Sequence, residues 1–329
     1  MVRLSIIIPA YKVEKFIEKS IRSLEHQDIP LSDYEIIVTN DGSPDNSAAI
    51  VTGLQQVYPN IILINQENQG VSMARNHAIA QAKGNYILPI DPDDYVLPNT
   101  FERILSLAEG RNLDVLYMGF EIFDADGNSE WKTRYSNFTD KIYPGVEAYF
   151  RARDYDVRDP DRSWAMLYKR SLLTQFSIDY PKGVPYLEDG LFLAKVFAVA
   201  ERVGFDHEIF YQRTTRKGSA TNSRLFYSEQ AINGFILAID DIKHFGKKNK
   251  LTHQQSDLIH HVMAKFVVLS LSPSIASRDF KSYFKVIQKL KQAGFSKLET
   301  NGLRFKYKQY IKVYNFSKWL FPVYFKLIN

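Results

Sequence analysis

The first hundred residues alternate between two hydrophobic periods, and this alternation limits the fold more than any other feature of the chain. Continuous apolar, β-branched runs predict strands over residues 4–8, 34–39, 61–64 and 86–90. Helical spacing and helix-start signals predict helices over residues 16–24, 47–57 and 70–82. Strands that trade places with helices form βαβ units, so we expect an α/β fold with a mostly parallel, Rossmann-like sheet flanked by helices.

Polar residues that directly follow the strands are the first candidates for a site. Parallel α/β sheets bind ligands at the carboxyl ends of their strands, near the point where the strand order reverses. Asn40 and Asp41 follow the second predicted strand, and the run Asp91–Asp94 follows the fourth. We therefore expect a ligand site built from these two loops.

The acidic run Asp91-Pro92-Asp93-Asp94 indicates a metal site. Three carboxylates this close repel one another unless a cation lies among them. Oxygen ligands without Cys or His favour Mg²⁺ or Mn²⁺ over zinc, and such ions take further ligands from substrate phosphates. A nucleotide diphosphate is the implied co-ligand, and the alternative is a simple acidic turn bounded by Pro92 and Pro98.

Three further side chains are placed to contact a nucleotide. Asp41 can accept a hydrogen bond from a base N–H or a ribose hydroxyl, and Tyr11 can stack on the base. Arg75 is near the start of a predicted helix. Both the dipole of that helix and the guanidinium of Arg75 favour the binding of a phosphate there. The alternatives are a capping loop for Asn-Asp-Gly-Ser and an exposed helical arginine for Arg75.

The chain is long enough for a large domain with an appendage, since its 329 residues exceed the roughly 150 of an ordinary domain. Mixed signals follow residue 98: a helix over 101–108 and strands over 115–123 and 204–212. After residue 228 only helical patterns remain, over 231–245, 253–271 and 280–293. We place the boundary near residue 223, which gives regions 1–223 and 224–329.

The last segment, residues 301–329, is a basic aromatic tail. It holds six cations and no acid, whereas the whole chain has a net charge of +5, so the rest of the chain is close to neutral. Lysines interleaved with aromatic rings suit an anionic lipid interface, and we expect this tail to bind an anionic membrane surface. The alternative is that the rings pack on the helical region. No nucleic-acid-binding motif accompanies the charge, so nucleic acid is not an expected partner.

Cysteine usage and hydropathy point to the cytoplasm. The chain has no cysteine, which excludes disulfides, thiolate nucleophiles and Cys-based zinc sites and fits a reducing compartment. The N-terminal apolar run is too short for a signal sequence, and no apolar stretch reaches the roughly 20 residues of a membrane span. We expect a cytoplasmic protein that is peripheral at the inner face of the cell membrane.

Three motifs in the first hundred residues resemble the catalytic core of the family-2 inverting glycosyltransferases, which have the GT-A fold. They are SIIIPAYKVEKFIEKSIRSLEHQ, EIIVTNDGSPDNS and ENQGVSMARNHAIAQAKGNYILPIDPDD, in the family's order and spacing. The likeness continues more loosely to about residue 220. There, SWAMLYKRSLL, VPYLEDGLFLAKV and IFYQRTTRKGSAT are similar to segments of the bacterial surface-polysaccharide branch.

The resemblance implies a role for each candidate residue. Residues 1–100 would be the nucleotide-sugar-binding half and 101–223 the acceptor half of the catalytic domain. Asp91 and Asp93 would be the metal ligands of an Asp-x-Asp (DXD) motif, and Asp189 the general base beside Glu188. The implied contacts with the nucleotide sugar are Pro9, Ala10, Tyr11, Asp41, Arg75, Asp91, Asp93, Asp94 and Arg213. Trp164 would lie on the acceptor side, and Arg213, Arg216 and Lys217 would form a clamp on the diphosphate that Gly218 allows to move.

Two positions depart from the family pattern. Asn40 stands where an aspartate is more usual, and Pro92 stands inside the acidic motif, where small residues are common. Glu188 and Asp189 also have a simpler interpretation, as an acidic helix N-terminus stabilised by the dipole.

The implied chemistry is a single displacement at an anomeric carbon, which requires one base and one charge sink. A metal on the diphosphate is the sink, and Asp189 is the base because the neighbouring Glu188 charge would raise its pKa. We expect transfer of a hexose or N-acetylhexosamine from a UDP-sugar to a saccharide or lipid-linked saccharide acceptor, with Mn²⁺ or Mg²⁺, in the biosynthesis of cell-surface polysaccharide or exopolysaccharide.

Two other functions stay open at this point. A nucleotidyltransferase also pairs an α/β sheet with acidic metal ligands, but it would show a glycine-rich, Arg-containing loop where this chain has Pro9-Ala10-Tyr11-Lys12-Val13. A sugar-nucleotide-binding protein without catalysis is disfavoured by the presence of Asp91, Asp93 and Asp189 together.

Overall fold

A computed structural model describes residues 1–135, 138, 140–154, 161–215 and 228–328. The strands of its sheet are β1 (Leu4–Ala10), β2 (Tyr34–Asp41), β3 (Ile61–Gln66), β4 (Tyr86–Pro89), β5 (Tyr95–Val96), β6 (Val115–Phe123), β7 (Ser129–Lys132), β8 (Met166–Lys169) and β9 (Val203–Thr214). The helices of the sheet region are α1 (Ile17–Glu25), α2 (Ser47–Gln55), α3 (Val71–Gln81), α4 (Phe101–Gly110), α5 (Gly145–Asp154) and α6 (Arg170–Gln175). The remaining helices are α7 (Glu188–Val199), α8 (Glu229–Lys248), α9 (His253–Ala276), α10 (Phe280–Gln292), α11 (Phe305–Phe316) and α12 (Phe321–Ile328).

The chain divides into two compact units. The first unit contains Met1–Tyr180 and Ala200–Ser219, and the second contains Pro181–Val199 and Ala220–Asn329. This division differs from the predicted boundary near residue 223 in one segment, because Pro181–Val199 belongs with the C-terminal helices. The reason is α7, which is buried continuously from Gly190 to Val199 and packs against α8 and α9.

The sheet of the first unit has the strand order β3-β2-β1-β4-β8-β6-β9-β5, with β7 beside β6. The four N-terminal strands pair in parallel, with Ala10 opposite Asn40 and Asp41 opposite Gln66. Antiparallel pairs enter with β8, β7 and β5, while β9 runs parallel to β6. The predicted α/β class and all four N-terminal strands are confirmed.

The parallel strands form because both of their faces are covered. Every residue of β1 and β2 is buried. Ile6, Ile36 and Leu88 from adjacent strands share one core cluster with Ile17 and Ile21 of α1. Burial of each such side chain stabilises the fold by about 1.5–3 kcal/mol, which explains the uninterrupted apolar runs.

The strand order reverses at β1. The chain proceeds from β1 to β2 and β3 on one side, and β4 then pairs with β1 on the other side. A crevice is expected at the carboxyl ends of the strands at such a switch point. The residues that end or follow these strands are Ala10, Asp41 and Asp91.

Helices α7 to α12 form the second unit. Its longest helix, α9, is long and apolar enough to cross a membrane by length and composition, in contrast to the expectation that no stretch would be. Its apolar window is 72% buried inside the protein, which is typical of a core helix.

The basic aromatic tail forms α11 and α12, and one face of it packs on the helical unit. Tyr310, Ile311, Tyr314 and Phe321 are each at most 2% exposed. The Tyr314 hydroxyl donates a hydrogen bond to the Phe295 carbonyl at 2.8 Å. The alternative that the rings pack on the helical region is therefore correct for this face of the tail. Phe305, Phe316 and Trp319 are exposed.

Candidate active site

The loops that follow β1 and β2 are joined by hydrogen bonds around Asp45. The hydroxyls of Ser43 and Ser47 both donate to Asp45 Oδ1 at 2.6 Å, and the Glu14 amide donates to Oδ2 at 3.0 Å. Desolvation opposes ionisation of Asp45, but these donors together lower its pKa. The charged, fully bonded carboxylate holds the two loops in one arrangement beside Tyr11, whose ring is 44% exposed.

Asp41 anchors the loop that leads into α3. Its carboxylate accepts hydrogen bonds from the Gln66 side chain at 2.7 Å and from the backbone amides of Gln69 and Gly70 at 2.8 and 2.9 Å. The residue is 3% exposed. Gly42 is required beside it, because its φ is +62° and a Cβ would lie 2.9 Å from the Asn68 amide nitrogen. These hydrogen bonds agree with the loop alternative for this residue, and a contact with the base stays a prediction.

Arg75 of α3 pairs with Asp91 at the end of β4. Its Nη2 lies 2.8 Å from Asp91 Oδ1. The guanidinium also lies 5.0 Å from the ring centroid of Tyr180, whose backbone is held by both groups of the Asn76 side-chain amide. Arg75 is 4% exposed, so the alternative of an exposed helical arginine is wrong. The side chain of Asp91 stays 28% exposed and can still meet a ligand.

Asp94 has a different environment from Asp91, although the two are three residues apart. It is 4% exposed, and its oxygens accept from the Tyr211 hydroxyl at 2.7 Å and the Thr214 amide at 2.8 Å. Burial raises the pKa of Asp94 well above its usual range, and the charges of Asp91 and Asp93 raise it further. Asp94 thus binds β9, and this geometry does not favour its predicted contact with a nucleotide sugar.

The Tyr211 hydroxyl links the acidic loop to the sheet. It accepts from the Asp91 amide at 3.2 Å while it donates to Asp94, and burial raises its pKa. Trp164 stacks on the Tyr211 ring at 4.7 Å. Trp164, the predicted acceptor-side residue, is 4% exposed, so its surface is covered by the protein's own side chains.

A buried cation also lies behind Trp164. Arg162 is 1% exposed, donates to the Tyr135 hydroxyl at 2.9 Å, and lies 4.2 Å from the Phe120 ring centroid and 5.2 Å from that of Trp164. Arg213, the predicted diphosphate ligand, is on β9, and its guanidinium lies 5.7 Å from the ring centroid of Trp164. A row of cation–π contacts therefore fixes the aromatic residues next to the acidic loop.

Within the described ranges, no three His, Cys, Asp or Glu side chains converge in a way that could hold a metal. Asp91 and Asp93 are both partly exposed, whereas Asp94 points into the protein. Magnesium is commonly held by one or two carboxylates together with substrate phosphates and waters. The residues present fit such a site, which would be completed by a ligand.

The remaining predicted residues lie at the end of β1, in α7 and outside the described residues. Pro9 and Ala10 are buried at the end of β1. Glu188 and Asp189 form the first turn of α7 in the second unit, and both are partly exposed. Arg216, Lys217 and Gly218 lie outside the described residues. His261 packs edge-on against Tyr307 at 4.9 Å.

Sequence reasoning gave no role to Tyr211, Tyr180 or Arg162. Tyr211 lies in the segment IFYQRTTRKGSAT, but its neighbours along the chain indicate no contact with Asp91 or Asp94. A buried arginine such as Arg162 has no sequence signal beyond the aromatic residues around it.

Comparisons with known proteins agree with this architecture. Residues 5–174 match the family model described as Glycosyl transferase family 2. The uncharacterized glycosyltransferase EpsJ of Bacillus subtilis is 35% identical over 207 residues, which cover 63% of this chain and 59% of EpsJ. Poly(ribitol-phosphate) beta-N-acetylglucosaminyltransferase TarS of Staphylococcus aureus is 27% identical over 225 residues, or 37% of its length. The chain thus spans less than two thirds of these relatives.

Solved structures confirm the GT-A fold. The crystal structure of S. aureus TarS 1–349 in complex with UDP-GlcNAc has a TM-score of 0.63 at 21% identity and covers 88% of this chain and 92% of that one. Mannosyltransferase PcManGT from Pyrobaculum calidifontis, in complex with GDP-Man and Mn²⁺, has a TM-score of 0.51 at 14% identity, with 98% and 88% covered. The family match extends over more than half of the chain and contains the loops of Asp41, Arg75 and Asp91, so the protein belongs to glycosyltransferase family 2.

Proposed function

We propose that the protein is an inverting hexosyltransferase that moves a hexose or N-acetylhexosamine from a UDP-sugar to a saccharide acceptor, in synthesis of a cell-surface polysaccharide. The observation that supports this most is the Arg75–Asp91 pair at the carboxyl end of β4, inside the segment that matches the family. UDP is the proposed nucleotide because TarS, which is 27% identical to this chain over 225 residues, was crystallised with UDP-GlcNAc.

Asp91 and Asp93 are the proposed ligands of Mn²⁺ or Mg²⁺. When bound, the ion would stabilise the negative charge that grows on the departing diphosphate. Arg75 holds Asp91 Oδ1 at 2.8 Å, so this carboxylate keeps its orientation before a donor arrives. The Arg75 charge also partly offsets the repulsion between the carboxylates and an incoming diphosphate.

Asp41, Tyr11 and the end of β1 are proposed to bind the nucleoside. Three donors already fill much of the Asp41 carboxylate, which has about four lone-pair directions. One direction is left for a base N–H or a ribose hydroxyl. Tyr11 is exposed enough, at 44%, to stack on a base.

Asp189 is proposed to accept the proton of the acceptor hydroxyl. As the new bond forms between the acceptor oxygen and the anomeric carbon, the bond from that carbon to the diphosphate oxygen breaks. The proton goes to the Asp189 carboxylate, and the configuration at the carbon inverts. Glu188 is the neighbouring carboxylate on the same first turn of α7.

The acceptor is proposed to be lipid-linked, which would place the protein at the inner face of the cell membrane. A lipid-linked saccharide is held at a bilayer, so the transferase must work at that surface. The basic composition of residues 301–329 supports this arrangement.

The test is incubation with a panel of UDP-sugars and Mn²⁺, with slow release of UDP as the readout. We expect one or a few UDP-hexoses to be hydrolysed without acceptor, and proton NMR of a transferred product to show the inverted anomer. Release of pyrophosphate in place of UDP would identify a nucleotidyltransferase. UDP-sugar binding without any turnover, with or without saccharide acceptors, would identify a binding protein.

A further inference from the structure

Helix α12 is apolar on two opposite sides, but only one of them is covered by the protein. Phe321 and Phe325 face α11, with ring centroids 6.2 and 5.4 Å from that of Tyr310. Leu320, Val323 and Leu327 follow at spacings of three and four residues, which puts them on one stripe. They are 51%, 59% and 79% exposed. An apolar stripe of a helix is normally buried, so the exposed stripe requires an explanation.

The exposed stripe extends to a neighbouring helix through Trp319. This indole is 73% exposed, and its ring lies 4.2 Å from that of Phe284 on α10. One turn before Phe284, Phe280 is 55% exposed. We call the set Phe280, Trp319, Leu320, Val323 and Leu327 the α12 apolar surface.

The α12 apolar surface lies in a strongly basic part of the second unit. Residues 280–328 contain eleven lysines and arginines and a single acid, Glu299. Lys285 and Lys289 are engaged by Glu229 at 3.1 and 2.9 Å. The lysines of the surrounding helices that are exposed include Lys281, Lys312 and Lys326, of which Lys326 is on α12 itself.

We propose that the α12 apolar surface is a peripheral membrane-binding site for an anionic bilayer. Trp319 and the leucines would enter the headgroup region, and Lys281, Lys312 and Lys326 would meet lipid phosphates. Trp and aliphatic side chains next to lysines are the composition of interfacial helices. A second copy of the chain is a poorer occupant, because two faces with this charge would repel each other in a symmetric dimer.

This site deepens the membrane location given under the proposed function and rests on it, but it is tested without a sugar donor, so its failure is distinguishable from a failure of the transfer reaction. The probe is vesicles of phosphatidylcholine with 30% phosphatidylglycerol, compared with phosphatidylcholine alone. Trp319 is itself the reporter, because it is the most exposed indole, while Trp164 is 4% exposed and Trp131 is partly packed on the core. We expect a blue shift of emission with anionic vesicles, and no such shift in Trp319→Phe.

Two sets of substitutions separate the apolar and electrostatic parts. The combined change of Lys281, Lys312 and Lys326 to Gln should lower the partition coefficient about 100-fold, since one lysine near an anionic surface contributes about fivefold. The combined change of Leu320, Val323 and Leu327 to Ser should also abolish the blue shift. All six positions are exposed, so the fold is expected to persist. Val57→Ser, at a 63% exposed position of the first unit, is the matched control.

Several results would overturn the proposal. They are absence of binding to anionic vesicles, equal binding to both vesicle types, or binding that neither triple variant reduces. A wild-type dimer in light scattering that the Leu/Val triple variant converts to a monomer, without any affinity for vesicles, would assign the surface to self-association. UDP-sugar hydrolysis measured in solution stays a separate result and is not affected by any of these outcomes.

Discussion

Replacement of Tyr211 by Phe should loosen the acidic loop without removing any of its carboxylates. The change deletes one oxygen, which donates to Asp94 Oδ2 at 2.7 Å and accepts from the Asp91 amide at 3.2 Å. The ring can keep its stacking on Trp164. The variant therefore isolates the hydroxyl.

The expected loss follows from the burial of Asp94. At 4% exposure water does not replace the lost donor, and a hydrogen bond to a charged group contributes about 1.5–3 kcal/mol. The Thr214 amide remains at 2.8 Å, so we expect about 2 kcal/mol of destabilisation when Asp94 is charged.

The loss should depend on pH with a defined sign. Burial already raises the pKa of Asp94, and the Tyr211 hydrogen bond opposes that rise, so the variant has a still higher pKa. When the folded-state pKa of a carboxyl lies above its unfolded-state pKa, the protein loses stability as the pH rises from the unfolded-state value to the folded-state value. The destabilisation should therefore be larger at high pH, where Asp94 is charged, than at low pH, where it is neutral and the lost hydrogen bond contributes less.

Urea unfolding followed by tryptophan emission measures this loss, and UDP titration with Mn²⁺ measures the effect on the site. We expect weaker UDP binding because the Asp91 amide loses its acceptor. Tyr34→Phe is the matched control, since it removes a hydroxyl that donates to Glu25 at 2.8 Å at the start of β2, and it should lower stability without changing UDP affinity. If Tyr211→Phe matched the control in UDP affinity, or lost more stability at low pH than at high pH, the reasoning would be refuted.

Three further predictions concern single side chains. Asp93→Ala should weaken UDP binding in Mn²⁺ but not in EDTA, by titration calorimetry; equal weakening in both would exclude a metal role. Asp189→Asn should keep UDP-sugar binding and abolish transfer, and near-normal turnover in a product assay would direct the search for the base to Glu188. Burial, with a smaller effect of Lys297, lowers the pKa of Lys318 from 10.5 to about 8. Because the unfolded chain then holds more protons between these values, the second unit should gain stability from about pH 8 to 10.5, and Lys318→Met should lack this gain in urea unfolding followed by Trp319 emission. A gain of the same size in the variant would assign the effect to other groups.

The strands of the first ninety residues were predictable because their burial produces a local hydrophobic pattern in the sequence. β1 and β2 are buried along their whole length, and a continuous apolar run is the direct result. The short strands β5, β7 and β8, of two to four residues, give no period to detect. The placement of α7 in the second unit was missed because a helix that is buried all round shows no preferred direction.

The candidate site was predictable in its residues but not in their pairing. Asp91 and Asp94 have the same chemistry and neighbouring positions, yet only Asp91 stays partly exposed. The difference arises because β5 begins at Tyr95 and pairs with β9, which turns Asp94 toward Tyr211 and Thr214. Such a choice depends on strand pairing between distant segments, which no local pattern records.

The distance along the chain between Asp94 and Tyr211 has a consequence for biosynthesis. The two residues are 117 positions apart. At about 5–20 residues per second, a ribosome would deliver Tyr211 about 6–23 s after the acidic loop has left the peptidyl transferase centre. During that interval the nascent chain holds three neighbouring aspartates without the strand that later covers Asp94.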